Sequence, residues 1–134
     1  MKLVVGGAYQ GKTEYVKREY GVAEGDILLS EQIDVRVLQN KIVQAGENIV
    51  CIGQYHLFIR QGMEQGVDME ALTQSLLLRC PSVIIIMDEV GSGIIPAERQ
   101  ERLYREQVGR IGCVLAKQAE SVVRVVCGIA VPIK

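Results

Sequence analysis

Short apolar runs alternate along the chain with stretches in which apolar residues recur every three or four positions. Runs of strand length fall at residues 3–5, 26–29, 48–52, 83–87 and 122–126, and most are nearly all apolar, as strands covered on both faces should be. Helical periodicity fills the gaps. One helix is expected over 12–20, and a second from an N-cap at Asp34 to about Ala45, where Gly46 ends it. Two more are expected over 57–65 and 69–78, with Gly66 marking the turn between them and Asp68 capping the second. The longest helical stretch runs from 97 to about 121; Leu103, Ile111, Val114 and Leu115 form much of its apolar stripe, and Gly109 and Gly112 weaken it. Strands alternating with helices predict an α/β fold with a mainly parallel central sheet. No internal repeat or Pro/Gly/Ser linker interrupts the pattern, so residues 1–134 are expected to form one nucleotide-binding domain.

Composition narrows the classes of partner. Fifteen Lys and Arg oppose sixteen Asp and Glu, so no global field draws the chain to nucleic acid or to an acidic membrane, and any bound anion must be held locally. The longest apolar runs, such as residues 82–87, fall far short of the roughly 20 residues that span a bilayer, and no signal-peptide pattern is present. A cytoplasmic location is the expectation. Cys51, Cys80, Cys113 and Cys127 are widely spaced with no CxxC pair, and are expected to be small buried thiols in a reducing compartment.

The strongest chemical signal is at the N-terminus. Gly6, Gly7, Ala8, Tyr9, Gln10, Gly11, Lys12 and Thr13 match GxxxxGK[ST], after an apolar strand and before an amphipathic helix. Glycines let backbone N–H groups turn inward onto phosphate oxygens, and the helix start adds a positive dipole end. Lys12 supplies charge for the β- and γ-phosphates of ATP or GTP, and the Thr13 hydroxyl is the expected Mg2+ ligand. The fold expected around such a loop is a P-loop NTPase-type three-layer sandwich. A second buried run, 82–87, ends in Asp88 and Glu89, an arrangement that can hold a nucleotide-bound metal beside the loop. Asp88 is the second candidate metal ligand, the other reading being a cap for the following loop.

From Glu89 the chain reads Glu89-Val90-Gly91-Ser92-Gly93-Ile94-Ile95-Pro96, then Arg102, Tyr104-Arg105-Glu106, Gly109-Arg110, Leu115-Ala116, and Gly128-Ile129 with Pro132 and Lys134. This resembles the bifunctional cobinamide kinase and cobinamide-phosphate guanylyltransferase family, with its EVGxGIVP string, its R-x-[FY]-R-[DE]-x-x-G-R helix and its terminal G-[IL]-P…K. The family's GGxxSGKS is matched by Gly6-Gly7, Gly11-Lys12 and Thr13. The resemblance covers about half the chain. It implies a P-loop fold, a homotrimer and two reactions on a corrinoid of cobalamin biosynthesis: phosphorylation of its aminopropanol arm by ATP or GTP, then guanylyl transfer from GTP.

The middle of the chain departs from that pattern. Family members carry a His-rich helix after the second strand, whose histidine is guanylylated, and then W-x-[ST]-x-E; residues 30–39 here contain neither His nor Trp. The D-C-L-T of the family's third strand end is replaced by Gly53-Gln54-Tyr55-His56, and Asp88 stands where the family has Asn. His56 is the only histidine, so a guanylyl group carried on histidine would have to form there; the other reading is an ordinary histidine at a helix start. Gly91 and Gly93 fit either ligand approach or a tight turn. Arg102, Arg105 and Arg110 fit either phosphate gathering or pairing with Glu98, Glu101 and Glu106. Tyr104, at the family's aromatic position, reads as packing in preference to a corrinoid-stacking platform, since five Tyr and one Phe leave little aromatic surface for a macrocycle. Two functions remain open: a phosphotransferase in which Lys12 neutralises the transferring group, Glu89 orients or deprotonates the acceptor hydroxyl and His56 is the candidate for any guanylyl carriage, and a non-catalytic ATP- or GTP-binding protein with a regulatory or assembly role.

Overall fold

The computed structural model describes residues 1–45, 48–91 and 93–134. Six strands form one sheet in the order β2-β3-β4-β1-β5-β6, with β1 at Lys2–Gly6, β2 at Ile27–Leu28, β3 at Cys51–Ile52, β4 at Ile84–Asp88, β5 at Ser121–Val126 and β6 at Ile129–Pro132. The first five are parallel, and β6 returns antiparallel to β5. The helices are α1 (Lys12–Tyr20), α2 (Val35–Ala45), α3 (Tyr55–Gln65), α4 (Met69–Arg79) and α5 (Arg99–Gln118). The expected α/β sandwich is therefore present.

Period-two alternation divides the core between the two faces of the sheet. Leu3, Ile52, Ile85, Met87 and Val122 pack with residues of α2 to α5, including Leu38, Phe58, Leu76 and Ile111. Val4, Cys51, Ile84, Ile86, Val123 and Val125 face the other way, onto Val16 of α1. One helix thus covers one face and four cover the other.

Local chemistry sets the helix ends. Asp34 Oδ1 accepts the Arg36 N–H at 2.9 Å, and Asp68 Oδ1 accepts the Ala71 N–H at 3.0 Å, so both expected caps hold. The expected stop at Gly46 lies outside the described residues, as does Ser92 of the glycine-rich string. Helix α5 is buried through Tyr104, Val108, Ile111 and Leu115, not through Leu103, which is 42% exposed, or Val114, which is half-buried. That corrects the expected stripe: spacings of four, three and four keep those residues on one helical face, whereas Leu103 is rotated off it. Cys51 and Cys80 are buried, but Cys113 and Cys127 are exposed, against expectation, because one lies on the outer side of α5 and the other in the β5–β6 turn. No helix among the described residues is long and apolar enough to cross a membrane.

Candidate functional site

Parallel pairing puts Gly6, the last residue of β1, beside Asp88, the last of β4. The phosphate loop and the acidic strand end therefore meet at the carboxyl edge of the sheet, where such sheets bind ligands. Gly6 approaches β5 so closely that a Cβ would stand 2.4 Å from the Val125 carbonyl oxygen. Gly11 has φ 96° as the residue before α1, where its missing side chain lets the chain turn left-handed into the helix. Between them Tyr9 also has positive φ, 58°, which costs a bulky L-residue about 1 kcal/mol.

Lys12, in the first turn of α1, is only 6% exposed. Its Nζ donates to the Gly7 carbonyl at 2.5 Å and pairs with Asp88 Oδ1 at 2.7 Å. A buried ammonium requires such partners, because desolvation without them would cost several kcal/mol. Thr13 is exposed beside it. A cleft of about 490 Å³ is lined by the loop from Ala8 to Thr13 together with Gln54, His56 and Asp88.

His56 lies in the first turn of α3, which begins two residues earlier than the periodicity predicted. Its Nδ1 accepts the Asp88 N–H at 3.1 Å, and its Nε2 stands 3.5 Å from Asp88 Oδ2. Burial holds its pKa below the usual histidine range; the Asp88 carboxylate pulls the other way and is outweighed, with Lys12 and Arg60 adding to the depression. The neutral ring, with Nδ1 as acceptor, carries its proton on Nε2 toward Asp88. His56 is thus a helix-start histidine that also lines the cleft.

Glu89 is placed differently. Its carboxylate accepts two bonds from Arg124, at 2.7 and 3.0 Å from Nε and Nη2, and it does not line the cleft. Its N–H continues the β4–β1 ladder onto the Gly6 carbonyl at 2.8 Å. Arg102 donates to the Pro96 and Ala97 carbonyls and Arg105 to the Ile94 carbonyl, so these arginines hold the loop after β4 instead of gathering at the phosphate loop; Arg110 pairs with Glu106. Tyr104 is packing, 5% exposed: its hydroxyl donates to the His56 carbonyl at 3.0 Å, and the Arg60 guanidinium lies 3.9 Å over its ring.

Sequence reasoning did not single out Gln10 as a brace, nor Gln54 or Arg124. The Gln10 Oε1 accepts the Cys127 N–H at 2.7 Å and its carbonyl accepts the Gly128 N–H at 2.8 Å, tying the phosphate loop to the β5–β6 turn. The available signal was the Cys127-Gly128 pair between two apolar runs, a two-residue hairpin turn. No group of three or more His, Cys, Asp and Glu able to hold a metal unaided occurs among the described residues.

A family model described as cobinamide kinase / cobinamide phosphate guanyltransferase matches residues 36–133, a region that begins beyond the phosphate loop. The bifunctional adenosylcobalamin biosynthesis protein CobU of Escherichia coli K12 is 44% identical over 78 residues, 55% of this chain and 42% of that protein. Its namesake in Salmonella typhimurium LT2 is 35% identical over 115 residues, 84% of this chain and 61% of that protein. The chain thus matches less than two thirds of either relative's length.

Proposed function

The chain belongs to the cobinamide kinase / cobinamide phosphate guanyltransferase family, and from that premise we propose that it binds magnesium-complexed ATP or GTP at the Lys12 cleft and phosphorylates a corrinoid hydroxyl. The observation that carries this reading is the Lys12–Asp88 pair at 2.7 Å within a glycine-built loop at the sheet's carboxyl edge. In the reaction the acceptor oxygen bonds to the γ-phosphorus, the bond to the bridging oxygen breaks, and the nucleoside diphosphate leaves with the electron pair. Lys12 neutralises the charge on the transferring group. The hydroxyl's proton passes to water or to Glu89, whose carboxylate must first leave Arg124.

Mg2+ fits the donors present. It binds through one or two protein oxygens plus phosphate oxygens and waters, and the Thr13 hydroxyl and Asp88 carboxylate both line the cleft. The metal would supply charge neutralisation between the β- and γ-phosphates. His56 would hold Asp88 in place through the 3.1 Å bond to its N–H. Carrying a guanylyl group on His56 suits this geometry poorly: the ring is 7% exposed, one nitrogen accepts the Asp88 N–H, and the other faces its carboxylate. The reading therefore centres on the kinase step. It includes the homotrimer that the resemblance implies, which light scattering would check.

Incubation with magnesium, ATP or GTP and cobinamide, followed by mass analysis of the corrinoid, tests the proposal. Wild type should yield cobinamide phosphate, and Lys12→Ala should lower the rate by on the order of a hundredfold or more. Equal rates would refute the role given to Lys12. A second reading, a nucleotide-binding protein without catalysis, is favoured by the tie between Glu89 and Arg124 outside the cleft. It expects nucleotide binding with no phosphorylated product.

A further inference from the structure

We propose that the Tyr9 ring is a stacking platform for a flat conjugated ring carried to the phosphate loop, either the purine of the nucleotide or the macrocycle of the acceptor. The inference rests on the phosphate-site reading above and adds to it a recognition element that the motif itself does not require, since Tyr9 occupies one of the unspecified positions of GxxxxGK[ST].

Tyr9 is fully exposed, whereas every other aromatic ring of the chain is buried or half-buried: Tyr55 and Phe58 lie in the core, Tyr104 packs under Arg60, and Tyr15 and Tyr20 meet edge to face. A hydrophobic ring left wholly in water forgoes the gain of burial, so its position contributes nothing to folding. The backbone makes the same point independently. At φ 58° glycine or asparagine would sit without strain, yet a tyrosine occupies the position. Strain of this kind is characteristic of ligand clamps.

The platform is also braced. Immediately after Tyr9, Gln10 is bonded through its carbonyl to the Gly128 N–H at 2.8 Å and through its side chain to the Cys127 N–H at 2.7 Å. Gly11 lies against the same turn, where an added Cβ would make ordinary van der Waals contact with the Gly128 Cα at 3.4 Å. An aromatic ring with two rotatable torsions, on a backbone already fixed, loses little entropy when a ligand covers it. Tyr9 lines the cleft that holds Lys12, Asp88 and His56, so a ligand whose phosphates occupy the loop brings its remaining parts within reach of the ring. Stacking on an aromatic face tolerates any flat π-system, which is why purine and macrocycle share one chemistry here.

Calorimetric titration of wild type, Tyr9→Ala and Tyr9→Phe with inorganic tripolyphosphate, ATP and GTP in magnesium, together with the KM for cobinamide, tests the proposal. Tyr9→Ala should bind tripolyphosphate as wild type does. It should either bind the nucleotides about tenfold more weakly, identifying the purine, or show a cobinamide KM raised about tenfold, identifying the macrocycle. Tyr9→Phe should retain both values. The proposal is overturned if Tyr9→Ala matches wild type throughout, if it loses tripolyphosphate as much as nucleotide, or if Tyr9→Phe is as impaired as Tyr9→Ala. Failure of wild type to bind tripolyphosphate and nucleotide alike would sink the phosphate-site reading and this inference together, and is distinguished by appearing before any substitution.

Discussion

Cys51 has no exposed surface on β3, and burial pushes its thiol up to about 12; burial also raises Cys80, while Cys113 and Cys127 are exposed. Only the thiolate attacks an alkylating reagent. At pH 8 the native protein should therefore incorporate two equivalents of iodoacetamide, at Cys113 and Cys127, and four in denaturant; peptide mapping that finds Cys51 labelled in the native protein would contradict the packing of β3. The same shift has a consequence for stability. Because the folded state holds the Cys51 thiol neutral, its contribution is complete below the unfolded value near 9 and is lost as pH rises toward about 12. Above pH 9 the urea midpoint of wild type should fall more steeply than that of Cys51→Val. The comparison between the two proteins cancels the tyrosines and lysines that titrate in the same range.

At the scale of elements, α3 and α4 meet where Gly62 leaves no room: a Cβ there would lie 2.2 Å from Met69 Sδ and 2.5 Å from its Cγ. Alanine would favour the helix by about 1 kcal/mol, but displacing buried Met69, 2% exposed, costs about 1–3 kcal/mol. The clash should outweigh the helix gain, so Gly62→Ala is expected to lower the urea-derived stability by up to about 2 kcal/mol. In the Met69→Ala background, where the obstructing side chain is gone, the same change should be neutral or stabilising. Where elements were legible in the sequence, a local signal sufficed. The turn from β1 into α1 needed only its glycines, and α2 and α4 needed only Asp34 and Asp68. What was illegible depended on partners distant in sequence. Strand β3 was expected over five residues and is formed by two, Cys51 and Ile52, which pair with both β2 and β4. Strand β6 was missed since its residues are mostly exposed and Pro132 interrupts a strand-like reading, yet β5 pairs with it along Val123–Val126. The pairing of Glu89 with Arg124, 35 residues away, had no local signal at all.

The whole molecule poses the question of cooperativity, because one face of the sheet is covered by α1 alone and the other by four helices. Alternate residues of β1 and β4 serve both faces: Leu3 and Ile85 point to the larger core, Val4 and Ile86 to the smaller, so neither core can dissolve without breaking the strands that hold the other. We accordingly propose that residues 1–134 unfold as one domain. The proposed nucleotide binding offers a way to test this, since a ligand that binds only the folded state raises stability by RT ln(1 + [L]/Kd), about 2.7 kcal/mol at a hundred times Kd. In native-state hydrogen exchange, saturation with magnesium and nucleotide should slow the most protected amides of β1 and β4 and those of α4 by the same factor, roughly a hundredfold at that ratio, although α4 does not line the cleft. Slowing confined to the loop, α1 and β1, with α4 exchanging as before, would show that the helices on the larger face open as a separate unit. It would refute the one-domain proposal while leaving the phosphate site intact. Equal slowing would mean that energy delivered at Lys12 is felt across the sheet, as the shared strands require.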